Sequence, residues 1–111
     1  MGKIINLGKF KMLRNSEKGL REYEVKKEIS KLGPGWRVCS FKELDYIFTI
    51  GYTLGIKSLV DFKEEDKLYR ISNSRDTAFY VDSDGLLQPF YIPSEENTED
   101  LLLDYVFVKD I

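Results

Sequence analysis

An α+β domain, with an antiparallel sheet and two helices packed on one side of it, is the fold class that three observations in the sequence predict. Apolar residues recur at helical spacing between positions 20 and 54, alternate at period two between 69 and 108, and are separated by turn residues at the junctions. The chain has 111 residues, 42% hydrophobic and 32% charged, enough for one packed core and too few for two. A single domain over 1–111 is therefore expected.

The elements follow in order. Residues 3–14 carry Ile4, Ile5, Leu7, Phe10, Met12 and Leu13 at mixed spacing with Gly8 interrupting, which predicts a bent strand or short hairpin. A first helix is predicted over about Lys18 to Leu32, because Val25, Ile29 and Leu32 form one apolar row. Gly33 stands where a C-terminal glycine cap belongs, and Pro34 prevents continuation. Gly35 to Cys39 is a short extended piece. Ser40 and Glu43 then form a capping box, Ser-x-x-Glu, ahead of Phe41, Leu44, Ile47 and Phe48, so a second helix should run towards Gly55. Residues 57–67 are too charged for core and are expected to be a solvated loop. Beyond them Tyr69 and Ile71, then Phe79 and Val81, alternate with polar neighbours as half-buried strands do. Asp84-Gly85 marks a hairpin that Phe90, Tyr91 and Ile92 close, and after the acidic loop Ser94 to Asp100 the stretch Leu101 to Val108 supplies a last strand.

Composition limits the chemistry. The chain contains no His, which removes the usual general base and the commonest metal ligand. The single Cys39 permits no internal disulfide and suits a reducing compartment. Without a His or a cationic network beside it, its thiol stays protonated, so a buried structural role is expected. No apolar run is long enough for a signal peptide or a membrane-spanning helix, and a cytoplasmic location is the expectation, or a surface location if a leader was removed. Asp82-Ser83-Asp84-Gly85 imitates the start of a calcium loop, but Leu86 and Pro93 occupy ligand positions, so it is expected to be a turn. Neither a metal nor a cofactor is called for.

Charge is unevenly spread. Residues 1–42 hold eleven Lys/Arg and four Glu, net +7, whereas residues 43–111 hold six Lys/Arg and fifteen Asp/Glu, net −9. Folding is expected to interleave the halves. Lys9, Lys11, Arg14, Lys18 and Arg21 come nearest to a nucleic-acid patch, but Glu17 and Glu22 sit among them, and nucleic acid is not an expected partner. Trp36 is expected in the core, and Arg37 to pair with a carboxylate or with the last carbonyls of the first helix.

The segment Lys31-Leu32-Gly33-Pro34-Gly35-Trp36-Arg37-Val38-Cys39-Ser40-Phe41-Lys42-Glu43-Leu44 resembles the Gly-x-Gly-Trp-Arg-Leu-Pro-Thr-x-x-Glu-Leu signature of the C-type-lectin-like major paralogous (FISUMP) and Lcl C-terminal type domains. Tyr69 to Asn73, Ala78 to Asp82 and Tyr105 to Asp110 resemble later elements of that family in the same order. Cys39 stands for its Pro, Arg70 for a Trp, and Phe107 and Lys109 for two Arg. The likeness covers about Tyr23 to Ile111 and leaves residues 1–20 as an N-terminal strand or hairpin. It implies a C-type-lectin-like fold, two helices against a twisted antiparallel sheet, used for binding rather than catalysis. In such folds calcium sits in long-loop carboxylates, which here would be Glu95, Glu96, Asn97, Glu99 and Asp100; a solvated loop is the plainer expectation.

The expected function is a non-catalytic binding domain that presents loops 57–67, 72–77 and 93–100 to a protein or glycan partner. Arg70, Asn73, Arg75, Asp76 and Tyr91 are the candidate contacts. The alternative is a small intracellular inhibitor or adaptor docking its acidic C-terminal half on a basic host protein. An N-terminal strand can also pair between subunits, so the sequence is compatible with a homodimer.

Overall fold

In the computed structural model, residues 4–14, 19–54, 68–73, 76–82, 86–93 and 101–111 are described. The N-terminal stretch is the hairpin alternative: β1 (Ile5–Asn6) runs antiparallel to β2 (Phe10–Arg14), with Ile5 opposite Met12. Leu7 N–H donates to the Phe10 carbonyl at 2.9 Å, leaving Gly8 and Lys9 as the turn. Gly8 takes φ +90°, a value that a Cβ makes costly and that tight hairpin turns demand.

Helix α1 (Glu22–Leu32) begins later than Lys18. The reason is that Leu20 exchanges two backbone hydrogen bonds with Leu103, at 2.8 and 3.0 Å, so the chain there is committed to extended pairing. The helix ends as expected, with Gly33 N–H donating to the Ile29 carbonyl at 3.3 Å. The extended piece that follows is a true strand, β3 (Trp36–Val38), and the capping box opens α2 (Phe41–Leu54). Ser40 N–H donates to Glu43 Oε1 at 2.8 Å and Glu43 N–H to Ser40 Oγ at 3.2 Å, satisfying two of the donors that a helix start leaves orphaned.

The second half supplies β4 (Tyr69–Arg70), β5 (Thr77–Val81), β6 (Leu87–Tyr91) and β7 (Val106–Asp110). The expected β5–β6 hairpin forms, with Val81 opposite Leu87; its Asp84-Gly85 turn, the charged stretch 57–67 and the loop 94–100 lie outside the described residues.

Two corrections concern architecture. There are two sheets rather than one, ordered β1-β2-β7-β3 and β4-β5-β6, all pairs antiparallel. Instead of extending the β5–β6 hairpin, the closing strand slots between β2 and β3. It starts at Val106 rather than Leu101 because Leu103 bridges Leu20, and Asp104 makes a parallel bridge to Tyr69 that ties the two sheets together.

The helices also cover opposite faces of the four-stranded sheet rather than one side. Register places Met12, Val108 and Arg37 on one face and Leu13, Phe107 and Val38 on the other. Leu44, Ile47 and Phe48 of α2 pack with Phe10, Met12, Cys39, Val106 and Val108. Val25 of α1 packs with Leu103, Tyr105 and Phe107, flanked by Ile29, Leu32, Trp36 and Val38. A central strand apolar on both faces requires cover on both. Among the described residues no helix is long and apolar enough to cross a membrane.

Among the described residues β6 ends its sheet, and that edge is guarded. Asp82 N–H donates to Leu86 at 2.9 Å and Ile92 N–H to Asp76 at 2.8 Å. Alternation from those bonded pairs turns the backbone groups of Leu87, Pro89 and Tyr91 away from β5. Pro89 therefore removes a donor from the outward row, where its missing N–H costs the sheet nothing and discourages strand addition.

Two outcomes follow. Ile47→Ala, at a fully buried position, should cost about 2–5 kcal/mol in urea unfolding; a cost below about 1 kcal/mol would contradict the packing described. Pro89→Val should increase concentration-dependent association in light scattering relative to the parent chain, and unchanged scattering would show that the edge needs no guard.

Candidate functional site

The Gly-x-Gly-Trp-Arg segment is accounted for by structure. A Cβ at Gly35 would stand 3.3 Å from the flexible Lys109 stem, which can give way, but Gly35 has φ +89°, so this position takes glycine for its conformation. Trp36 is half-buried against the α1-side cluster. Arg37 pairs with carboxylates, as expected: Nη1 and Nη2 donate to Glu43 Oε1 and Oε2 at 2.6 and 2.7 Å, and Nη2 also to Asp110 Oδ1 at 2.9 Å. One guanidinium thus joins β3, the first turn of α2 and the end of β7.

The Arg37 fork and the Ser40 cap hold the Glu43 carboxyl below its usual range, and Glu43 in turn holds the Arg37 proton more tightly. Cys39 is fully buried, and burial first, then the charge of Glu43, pushes its thiol up to about 12. That is an inert structural thiol rather than a nucleophile.

The expected contact residues are placed differently from one another. Arg70 is withdrawn from the surface: it is 5% exposed, its Nη1 lies 3.6 Å from Glu22 Oε2, and its own N–H donates to the Asp104 carbonyl at 2.9 Å. Its position on β4, opposite Ala78, turns it towards α1 and the buried Tyr105, whose phenol burial pushes up while Arg70 opposes that shift. Arg75 lies outside the described residues.

Asn73, Asp76 and Tyr91 belong to one region. The turn holding Asn73, at φ +63°, is fixed by Ser72 N–H donating to the Cys39 carbonyl at 2.9 Å, next to the start of α2. Its far end is fixed by Ile92 N–H donating to the Asp76 carbonyl, beside Tyr91. Asn73 and Asp76 are exposed, and Tyr91 is 74% exposed.

Register adds apolar neighbours. Thr77, Phe79 and Val81 share a face with Tyr91, Pro89 and Leu87. Phe41, at the start of α2 and 43% exposed, lays its ring against Phe79 with centroids 5.1 Å apart. Phe41, Phe79, Pro89 and Tyr91 thus form an aromatic shelf with Asn73 and Asp76 at its rim. Phe41 shares its helical row with the buried Leu44 and Phe48, so periodicity alone assigns it to the core. It escapes because the first turn of α2 meets the second sheet rather than the first.

Among the described residues no cluster of three or more His, Cys, Asp or Glu side chains is assembled to hold a metal ion. The acidic loop residues Glu95, Glu96, Asn97, Glu99 and Asp100 lie outside them.

Glu43→Gln should destabilise the fold at neutral pH by about 1–2 kcal/mol, the value of charge-assisted hydrogen bonds reduced for the partial exposure of Arg37. Because the folded carboxyl titrates below the unfolded one, this stability is present above the unfolded value of about 4.3 and is lost as pH falls through the folded value. The gap between parent and variant in urea midpoints should therefore close in acid; a constant gap would contradict the ion-pair origin. Cys39 should react with a thiol reagent only in denaturant, and rapid native reaction would contradict its burial.

No family model matches the chain, and no similar protein was found among curated proteins or solved structures.

Proposed function

We propose that this chain is a non-catalytic binding domain, C-type-lectin-like in form, that engages a protein or glycan partner through the shelf of Phe41, Phe79, Pro89 and Tyr91. The observation that carries this reading is that the exposed rings of Phe41 on α2 and Tyr91 on β6 flank the half-buried Phe79 of β5 on one surface, with Asn73 and Asp76 at its margin. Aromatic anchors ringed by polar groups are how recognition surfaces concentrate affinity. Tyr91 suits the part, offering a wide apolar ring and a hydroxyl at low conformational cost. The lectin-like form is supported by two helices set against antiparallel strands. The absence of His from the sequence and the burial of Cys39 leave this chain without an imidazole base or an accessible thiol nucleophile.

The test is a ligand screen over immobilised glycans and host proteins with the parent chain, repeated with Tyr91→Ala and Asp76→Ala. Tyr91→Ala should weaken binding to the selected ligand by at least tenfold, as anchor residues do, while the melting temperature stays within a few degrees of the parent. Undiminished binding by that folded variant would place recognition elsewhere.

A further inference from the structure

A second surface, unrelated to the aromatic shelf, lies on the face of the four-stranded sheet that α1 partly covers. There Lys11 stands opposite Lys109, and Lys109 opposite Trp36. Cys39 N–H bonds Val106, so by alternation Lys109 turns its backbone towards β2. The Cα spacing across this row is then about 5.5 Å between the lysines and about 4.5 Å between Lys109 and Trp36.

Like charges directly opposite one another weaken a sheet. Yet neither Lys11 nor Lys109 has an ion-pair partner among the described residues. Lys109 lays its aliphatic stem over Gly35, beside the half-buried indole of Trp36. The helix on this face adds to the surplus. Its three carboxylates are engaged, Glu22 with Arg70, Glu24 with Arg21 and Glu28 with Lys31. Its exposed Lys26 and Lys27 carry no such pair among the described residues. Lys11 and Lys109 thus lack a counter-charge among the described residues on a face that also holds an aromatic ring, and Lys26 and Lys27 add positive charge on the solvent side of the helix beside it.

We propose that this face binds single-stranded nucleic acid, with backbone phosphates on Lys11 and Lys109 and a base against the exposed part of Trp36. Unpaired cations beside an aromatic ring on a sheet are the elements of sequence-tolerant single-strand binding. An acidic protein segment would use the lysines but gain little from the indole. The expectation against nucleic acid weighed Glu17 and Glu22 among the N-terminal basic residues; Glu17 lies outside the described residues, Glu22 is drawn to Arg70, and the row draws Lys109 and Trp36 from distant parts of the chain.

Trp36 is the only tryptophan, so its fluorescence reports this site directly. Titration with a single-stranded oligothymidylate of about 12 nucleotides should quench it. Two phosphate contacts predict a slope of log K against log salt of about −1.4. Lys11→Gln with Lys109→Gln should lower affinity at least tenfold and remove most of that slope, with circular dichroism unchanged and the melting temperature not lowered. The proposal is overturned if the oligonucleotide leaves the fluorescence unchanged, if the folded double variant binds as the parent does, or if polyglutamate binds as tightly, which would assign the face to an acidic protein.

Discussion

The constraint on which the rest of the structure depends is that β7 is apolar on both faces and bonded along both edges. Val106, Phe107 and Val108 are at most 2% exposed, and the strand pairs with β2 on one side and β3 on the other. A strand in that position needs a layer over each face, which fixes α2 on one side and α1 on the other. Of its partners, β2 lies nearly a full chain length away and β3 about two-thirds of one, so the sheet closes only when distant parts of the sequence meet. Contacts of such long separation are slow to form. Local devices, the Gly8 turn and the Ser40–Glu43 box, prepare the pieces beforehand.

The Arg37 fork is the second tie. It connects β3, α2 and the end of β7 through Glu43 and Asp110, so the segment most recognisable in the sequence maintains the junction between sheet and helix. That role leaves the two proposed binding surfaces to residues with no such signature. The aromatic shelf is built where α2 overhangs the second sheet, and the lysine row where α1 leaves part of the first sheet open. The two surfaces belong to different sheets and use different chemistry.

Much of the fold was legible in the sequence because it rests on local rules. Gly33 and Pro34 end a helix, Ser40 and Glu43 start one, and period-two alternation marks β5 and β6. Partner choice was not legible. Nothing in Leu101 to Val108 states that it will insert between β2 and β3, and the run Tyr105 to Val108 is compatible with either an edge or a buried strand. Of the candidate contacts, the exposure of Asn73, Asp76 and Tyr91 was legible, because turns and strand ends remain at the surface. Arg70 was misplaced because alternation gives a period but not which phase faces the core. Lys109 and Trp36 become neighbours only through the β3–β7 pairing, which no local pattern encodes.

Native-state hydrogen exchange tests the central claim most directly. If β7 is the doubly bonded centre and β6 a free edge, the amides of Phe107 and Val108 should exchange only through global unfolding. Those of Leu87 and Tyr91, which face away from β5, should exchange far faster. Equal protection of the two strands, or rapid exchange at Phe107 and Val108, would contradict the strand order on which this account of the fold depends.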